Sequence, residues 1–266
     1  MIDAGRHSVL GILVNAVDYE TAVERIIRAG REGRSLAVSA LAVHGLMIGV
    51  LDEEHKYRLN RFDLLVPDGQ PVRWVLNWLY RTGLPDRVYG PNLMRKVCAR
   101  AAEENLAIYF YGSTSEVLEA MKQNLEKQFP RLRIAGMESS KFRQLSPEEK
   151  DELVERIRSS GASIVLVALG CPRQEVWAYE FRELLHMPAL AVGAAFPFMA
   201  GKVRQAPKKL QDLGLEWAFR LCMEPRLWRR YLFLNPAYVF LVALQACGLF
   251  SFRTDGRQPS GELLYG

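Results

Sequence analysis

Cysteine is scarce in this chain, and the residues that occur are widely separated. Cys98, Cys171, Cys222 and Cys247 form no C-x-x-C pair within the 266 residues. Neither a zinc site nor a disulfide framework is therefore indicated. Reduced thiols in a cytosolic protein are the simplest interpretation of this pattern.

Most of the short motifs that mark a catalytic class are also absent. The chain has no Walker loop, no H-x-x-x-H and no spacing typical of a Ser/His/Asp triad. Without G-x-G-x-x-G, a conventional nicotinamide oxidoreductase is disfavoured. Without D-x-D, the usual mark of a metal-bound nucleotide sugar, the sequence predicts no metal site and no cofactor. If a diphosphate departs during a reaction, Arg and Lys must neutralise it instead.

Long uncharged runs are equally few. The N-terminus carries Asp3 ahead of a short, interrupted apolar run, which does not fit a signal peptide. Only residues 231–252 form a run of 22 without charge, and Asn235, Pro236 and Gln245 interrupt it. Pro236 is expected to begin a helix, which leaves about 16 residues where a membrane span needs roughly 20. An interfacial helix is favoured, while a helix packed on the core or at an oligomer interface, and a true span, stay open.

Positive charge is concentrated in the last third of the chain, although the net charge of the whole is only +5. Between Lys202 and Arg230, eight Lys or Arg residues stand against three acids, with aromatic residues interleaved. Cations beside an apolar anchor suit an anionic ligand at a membrane surface. A merely solvated basic face is the alternative. Nucleic-acid binding is disfavoured, because the aromatic residues recur at helical spacing and fit core or membrane contacts better.

Apolar runs alternate with helical segments through most of the chain, of which 49% is hydrophobic. Strands are predicted at 35–39, 64–66, 106–111, 132–135, 163–169 and 189–192. Helices are predicted at about 19–29, 43–59, 72–80, 113–128, 146–160 and 174–185. This alternation predicts the α/β fold class, with a Rossmann-like, mostly parallel sheet covered by helices on both faces.

Three regions are expected along the chain. Residues 1–200 are assigned to the α/β domain, and residues 201–252 to a helical, basic appendage. The tail, 253–266, is polar and glycine-rich, so it is expected to be disordered.

Parallel sheets bind ligands beyond the carboxyl ends of their strands, and this chain marks several of those ends. Gly112, Gly170 and Gly193 each follow a predicted strand. Asp68 follows the strand at 64–66, between a proline and a glycine, which places a carboxylate at the same edge. Since Asp-Gly is also a very common turn, Asp68 by itself does not separate a catalytic role from a structural one.

Two further segments offer hydrogen-bonding groups near these strand ends. Arg87, Gly90 and Asn92 lie in RVYGPN, where glycine permits close backbone approach and the two side chains can reach a phosphate or a sugar. Gln174 and Glu175 begin a helix after GCPR, where free N–H groups can hold a phosphate or a ribose. An ordinary strand-to-helix turn is the alternative for this second segment.

Taken in order, several motifs resemble one family, namely PDGQPV, RVYGPNLM, YGS, GCPRQEVW, VGAAFPFMAGKV and RQAPKKLQDLGLEWAFRL. The chain resembles the WecG/TagA/CpsF glycosyltransferases, glycosyltransferase family 26, over roughly residues 9–231. Members of that family resemble one another as inverting, metal-independent transferases. The resemblance implies that a hexose-type sugar moves from a nucleotide-diphosphate donor, expected to be a UDP-sugar, to a polyprenyl-diphosphate-linked saccharide during cell-surface polysaccharide biosynthesis.

The same resemblance implies a cytoplasmic protein peripheral to the inner face of the plasma membrane. A homo-oligomer is left open, since an appendage of this kind can complete a neighbour's site. A non-catalytic, nucleotide-binding regulatory or scaffold protein at the membrane is the alternative function.

Individual roles follow from matching positions in the family's motifs. The resemblance assigns the general base to Asp68, donor contact to Arg87 and the donor pocket to Gln174. Binding of diphosphate and membrane is implied for arginines of the appendage, namely Arg220, Arg226, Arg229 and Arg230.

The chain departs from the family pattern at three places. Ser39-Ala40-Leu41 replaces the usual T-x-N, so a hydroxyl is kept at Ser39 and an amide is lost. Pro197 replaces an aspartate in A-F-D-F, and Leu227 replaces a basic residue. The missing amide leaves the donor sugar open between N-acetylmannosamine, glucose and another hexose.

Overall fold

The computed structural model describes residues 1–224, 228 and 230–266, and a parallel sheet of six strands lies at its centre. The described strands are β1 (Asp3–Val9), β2 (Ile12–Val17), β3 (Leu36–Leu41), β4 (Leu64–Pro67), β5 (Ala107–Gly112), β6 (Arg133–Glu138), β7 (Ile164–Ala168) and β8 (Pro188–Ala191). The order of strands in the six-stranded sheet is β4-β3-β8-β7-β5-β6. The predicted α/β class with a Rossmann-like parallel sheet is confirmed.

Helices cover both faces of this sheet. They are α1 (Tyr19–Glu32), α2 (Val43–Leu51), α3 (Glu53–Asn60), α4 (Gln70–Tyr80), α5 (Gly90–Glu103), α6 (Ser115–Gln128), α7 (Pro147–Ser159), α8 (Arg173–Leu185), α9 (Ala195–Met199), α10 (Lys208–Asp212), α11 (Glu216–Met223) and α12 (Asn235–Ala246), with a π-helical turn at Arg230–Leu234. One face of the sheet carries α1, α5, α6 and α9, and the other carries α2, α4, α7, α8 and α12. Strands β5, β7 and β8 are buried along their whole length, which is why they read as continuous apolar runs.

Local capping fixes several helix starts. The Ser146 side chain accepts from the Glu149 N–H while the Glu149 carboxylate accepts from the Ser146 N–H, so α7 begins with a capping box. The predicted helix at 43–59 is wrong as a single helix, because Asp52 ends α2 and caps α3. The Asp52 carboxylate accepts from the N–H groups of Glu54 and His55.

An antiparallel hairpin, β1–β2, covers the edge of the sheet and was not predicted. The Asn15 side chain in β2 accepts a 2.9 Å hydrogen bond from the backbone N–H of Leu65 in β4. The hairpin thereby shields the edge strand, which would otherwise present unpaired backbone groups.

The end of the chain returns to the core. Tyr238 and Val242 of α12 are buried in the core cluster beside α2 and α4. Residues 253–266, expected from the sequence to be disordered, instead contact the core: the Glu180 carboxylate accepts from the N–H groups of Leu263 and Leu264 at 2.8 and 3.0 Å. Among the described residues, no helix is both long and apolar enough to cross a membrane.

Candidate active site

A cavity of about 370 Å³ opens at the carboxyl ends of four adjacent strands, β4, β3, β8 and β7. Residues at and just after the ends of these strands line it, at 40–45, 68–71, 170–171, 174–175 and 191–195. Three residues of α11, Glu216, Trp217 and Arg220, close one side. The cavity thus lies at the carboxyl edge of the sheet, the edge to which the sequence assigns the candidate residues.

Asp68 occupies the first position after β4 and faces this cavity. Its Oδ1 accepts a 2.6 Å hydrogen bond from the backbone N–H of Gly90, the first residue of α5. Burial raises the pKa of Asp68 to about 6, and the Glu216 carboxylate adds to the rise, while Arg87, the Gly90 N–H and Arg220 oppose it. A carboxylate with this pKa is mainly ionised at neutral pH and can still accept a proton.

Arg87 is buried beside Asp68, in the loop that leads into α5. Its Nη2 donates to the carboxylate of Glu216 and, at 3.3 Å, to the side-chain oxygen of Gln211. The guanidinium carbon lies 4.3 Å from the centre of the Tyr89 ring. Burial alone would lower the pKa of Arg87, but the charges of Asp68 and Glu216 outweigh it and raise that pKa. Arg87 is therefore a fixed cation in the wall of the cavity.

Arg220 supplies a second cation from α11. Its Nη2 lies 3.4 Å from Oε1 of Glu224, and its guanidinium carbon lies 5.9 Å from the centre of the Phe198 ring. It is close enough to Asp68 to lower the pKa of that carboxyl. Two buried or half-buried arginines and two carboxylates, Asp68 and Glu216, thus share one cavity.

The floor of the cavity is a hydrogen-bonded network between three strand ends. Oε1 of Glu175 accepts from the Ser39 hydroxyl at 3.1 Å and from Nε2 of Gln174 at 2.9 Å. Oε1 of Gln174 accepts from the backbone N–H of Gly193 at 3.0 Å. Burial raises the pKa of Glu175, against the opposing effect of the bonds from Gln174 and Ser39. The network fixes the Gln174 side chain where a ligand would meet it.

Most of the residues singled out from the sequence come together here. Asp68, Arg87, Gly90, Gly170, Gln174, Glu175, Gly193 and Arg220 all line the cavity. Ser39 does not line it and lies beneath, as the donor to Glu175. Arg226 and Arg229 lie outside the described residues, as does the side chain of Arg230.

Two of the expected ligand-binding residues lie elsewhere. Asn92 turns toward the Tyr19 hydroxyl, 3.5 Å away, and lines a separate cavity of about 250 Å³. Gly112 ends β5 against the backbone of Ala168, and a Cβ there would lie 2.6 Å from the Ala168 carbonyl oxygen. Its backbone angle φ of +102° and this close contact explain the glycine, and Gly112 does not line the main cavity.

Sequence reasoning missed Glu216, the buried partner of Arg87. It also missed aromatic and polar groups on the rim, namely His44, Tyr89, Trp217, Tyr231 and Asn235. The available signal for Glu216 was its place in GLEWAFRL, where an acid begins a helix inside a basic segment. Within the described residues, no three His, Cys, Asp or Glu side chains are grouped to hold a metal ion.

The parallel sheet carries, at its strand ends, a carboxylate of raised pKa next to fixed arginines. This arrangement is typical of an α/β protein whose ligand site lies at the carboxyl edge of the sheet. The family model described as the Glycosyl transferase WecG/TagA/CpsF family matches residues 7–250. The chain therefore belongs to this glycosyltransferase family, which acts in cell-surface polysaccharide biosynthesis.

Proposed function

We propose that the chain transfers a hexose-type sugar from a UDP-sugar to a polyprenyl-diphosphate-linked saccharide, with inversion and without a metal ion. The observation that carries this proposal is the position of Asp68 in one cavity with Arg87 and Arg220. A carboxylate with a pKa of about 6 suits proton removal, and two cations suit a departing diphosphate.

The reaction is a direct displacement at the anomeric carbon of the sugar. An acceptor hydroxyl attacks this carbon from the face opposite the nucleotide, and a new C–O bond forms as the bond to the diphosphate oxygen breaks. The Asp68 carboxylate takes the hydroxyl proton, while the electron pair of the broken bond leaves with the nucleoside diphosphate. One displacement of this kind inverts the anomeric centre.

Negative charge grows on the diphosphate as it leaves, and the cavity offers groups to stabilise it. Arg87 and Arg220 contribute fixed positive charge, and α5 begins at the cavity wall with Gly90. The positive end of the helix dipole at the start of α5 also favours an anion. Because Glu216 is bound to Arg87, the donor must compete with an internal carboxylate for this guanidinium.

The proposal also covers the partners and the site of action. A nucleotide-sugar donor and a lipid-linked acceptor fit the family, and a lipid-linked acceptor requires action at a membrane surface, here the inner face of the plasma membrane. Asp68, Arg87, Glu216 and Arg220 converge within a single chain, so a partner copy is not needed to bring these four together.

A donor screen tests the proposal. Purified protein is incubated with a panel of UDP-hexoses and UDP-N-acetylhexosamines and with a short-chain polyprenyl-diphosphate saccharide, in the presence and absence of EDTA. We expect mass spectrometry to find one added sugar with at least one donor, with no loss of rate in EDTA, and NMR to show an inverted anomeric centre. Transfer that stops in EDTA, or a product with retained configuration, would contradict the mechanism.

A further inference from the structure

Helices α4 and α12 both begin at the cavity and run side by side away from it. Gln70 and Pro71 at the start of α4 line the cavity, and so does Asn235 at the start of α12. The Tyr238 hydroxyl donates to the Pro71 carbonyl at 3.2 Å, which ties the two starts together.

A second contact joins the far ends of the same helices. Nε2 of Gln245 lies 3.4 Å from the Tyr80 hydroxyl. Since the early residues of one helix meet the early residues of the other, and the late residues meet the late ones, α4 and α12 point in the same direction.

The outward sides of both helices are apolar. On α4, Trp74 and Trp78 are 43% and 63% exposed, and on α12, Val239 and Phe240 are 65% and 63% exposed. We call these four residues the two-helix face. The opposite sides of both helices pack into the same core cluster. The Trp74 ring also lies against Gly214, where a Cβ would be 2.5 Å from it, so Trp78 is the more open of the two tryptophans.

On α12 this exposed surface is unusual for its composition. Pro236, Val239, Phe240, Ala243 and Cys247 recur at helical spacing, and all are exposed. An ordinary surface helix places charged or polar residues on its outward side. Large apolar groups that remain outward on two neighbouring helices mark a surface that meets an apolar partner.

Charge narrows the choice of that partner. In the described stretches 70–81 and 231–254, the charged residues are Arg73, Arg81 and Arg253, and neither stretch contains an aspartate or a glutamate. A surface of this kind is complementary to anionic lipid headgroups, with tryptophan and aliphatic side chains reaching the acyl boundary. A second copy of the same chain would instead oppose cations to cations at the rim.

We infer that the two-helix face docks on an anionic lipid bilayer, with α4 and α12 lying in the plane of the membrane. In that orientation the mouth of the cavity, where both helices begin, lies at the level of the headgroups. This assignment differs from a membrane contact through arginines of the appendage alone, because half of the face belongs to α4 of the α/β domain. Its link to an acceptor in the bilayer rests on the proposed function, but the docking itself does not.

Vesicle flotation tests the docking directly. The probes are vesicles of phosphatidylcholine with and without phosphatidylglycerol, and the variants are Trp74→Ser/Trp78→Ser and Val239→Ser/Phe240→Ser. The matched control is Phe142→Ser, which removes a side chain that is 62% exposed between β6 and α7. We expect each double variant to lose about tenfold or more in binding to the anionic vesicles, and the control to bind like the parent chain.

Fluorescence quenching tests the same surface by depth. Brominated lipids should quench tryptophan fluorescence in the parent chain, and Trp74→Phe/Trp78→Phe should lose a measurable part of that quenching; Trp177 is fully buried, and Trp217 and Trp228, 40% and 47% exposed, lie outside the two-helix face. Circular dichroism and thermal melts that match the parent exclude misfolding of the variants. Unchanged flotation of both double variants would overturn the inference, as would light scattering that shows a parent dimer broken into monomers by the same changes while flotation persists.

The outcome is separable from that of the proposed function. Transfer to a short-chain acceptor in detergent-free solution needs no bilayer, so Val239→Ser/Phe240→Ser should retain it. Because the Trp74 ring lies against Gly214 of the cavity wall, the α4 variant used in this assay is Trp78→Ser alone. Loss of vesicle binding with retained transfer in solution supports the docking surface. Absence of transfer by the parent chain would reject the proposed function and leave the flotation result standing.

Discussion

The guanidinium of Arg87 donates a hydrogen bond to the carboxylate of Glu216, and this buried pair joins the loop before α5 to the first turn of α11. Both residues also act on Asp68, since the charge of Arg87 lowers the pKa of that carboxyl and the charge of Glu216 raises it. The pair therefore has two consequences: it holds the appendage against the cavity, and it sets the charge that surrounds the catalytic candidate.

The Asp68→Asn variant is expected to lose between about 10²- and 10⁴-fold in turnover, because an amide cannot accept the acceptor's proton. The amide oxygen can still accept from the Gly90 N–H, so binding of the nucleotide donor should change little. Steady-state kinetics and calorimetric titration with UDP measure the two effects. Asp52→Asn is the matched control, since it removes a carboxylate far from the cavity and preserves the helix cap. A turnover close to that of the parent would remove Asp68 from the mechanism.

The pH dependence of the parent chain follows from the raised pKa of Asp68. Only the ionised carboxylate accepts a proton, so kcat/KM should fall as the pH drops through about 6 and level off above it. Glu216→Gln removes a negative charge that raises this pKa, so the acidic limb of the profile should move to lower pH. Arg87→Met removes a positive charge that lowers it, so the limb should move to higher pH.

These two shifts in opposite directions are the critical readout. Arg87→Met also leaves Glu216 buried without its partner, which typically costs about 3–5 kcal/mol of stability. Thermal melts therefore accompany the profiles, and only folded protein is assayed. Shifts in the same direction, or none, would show that the acidic limb does not report Asp68.

The positions of the strands could be predicted because burial on both faces forces a continuous apolar sequence, as in β5 and β7. The hairpin β1–β2 escaped prediction because its two-residue turn is Leu10-Gly11, both with positive φ. Such turns are normally signalled by Asn-Gly or Asp-Gly, since leucine rarely adopts that conformation.

The residues of the cavity also divide into those that could be predicted from the sequence and those that could not. Asp68 could be found because it directly follows an apolar strand, and the edge of a parallel sheet then fixes its location. Asn92 lies away from the main cavity because the chain is already helical two residues beyond Gly90, and its side chain turns toward Tyr19. Glu216 could not be paired with Arg87 from spacing, because 129 residues separate them and only the tertiary fold brings them together.

Gly193→Ala tests the network on the floor of the cavity. A Cβ at this position would lie 2.1 Å from Oε1 of Gln174, so the Gln174 side chain must leave its place. Overpacking of this kind typically costs about 1–3 kcal/mol, and we expect weaker UDP binding as well as a lower melting temperature. Gly69→Ala is the control in the same cavity, because its Cβ would meet its nearest neighbours at 3.6 Å or more. Equal UDP affinity in the two variants would show that Gln174 does not contribute to the donor site.

The attachment of the tail to α8 supports a final prediction. The Glu180 carboxylate accepts from the backbone N–H groups of Leu263 and Leu264, and Leu264 packs against the core. Glu180→Gln presents one carbonyl oxygen and an NH₂ group to these two donors, so at least one bond is lost, at a cost of about 1–3 kcal/mol. Hydrogen exchange followed by mass spectrometry should then show faster exchange in residues 258–266. The matched control is Glu183→Gln on the same helix, whose side chain is 73% exposed and should leave exchange unchanged. If this segment exchanges equally fast in the parent chain, the tail is disordered, as its composition predicts, and the bonds to Glu180 do not hold it.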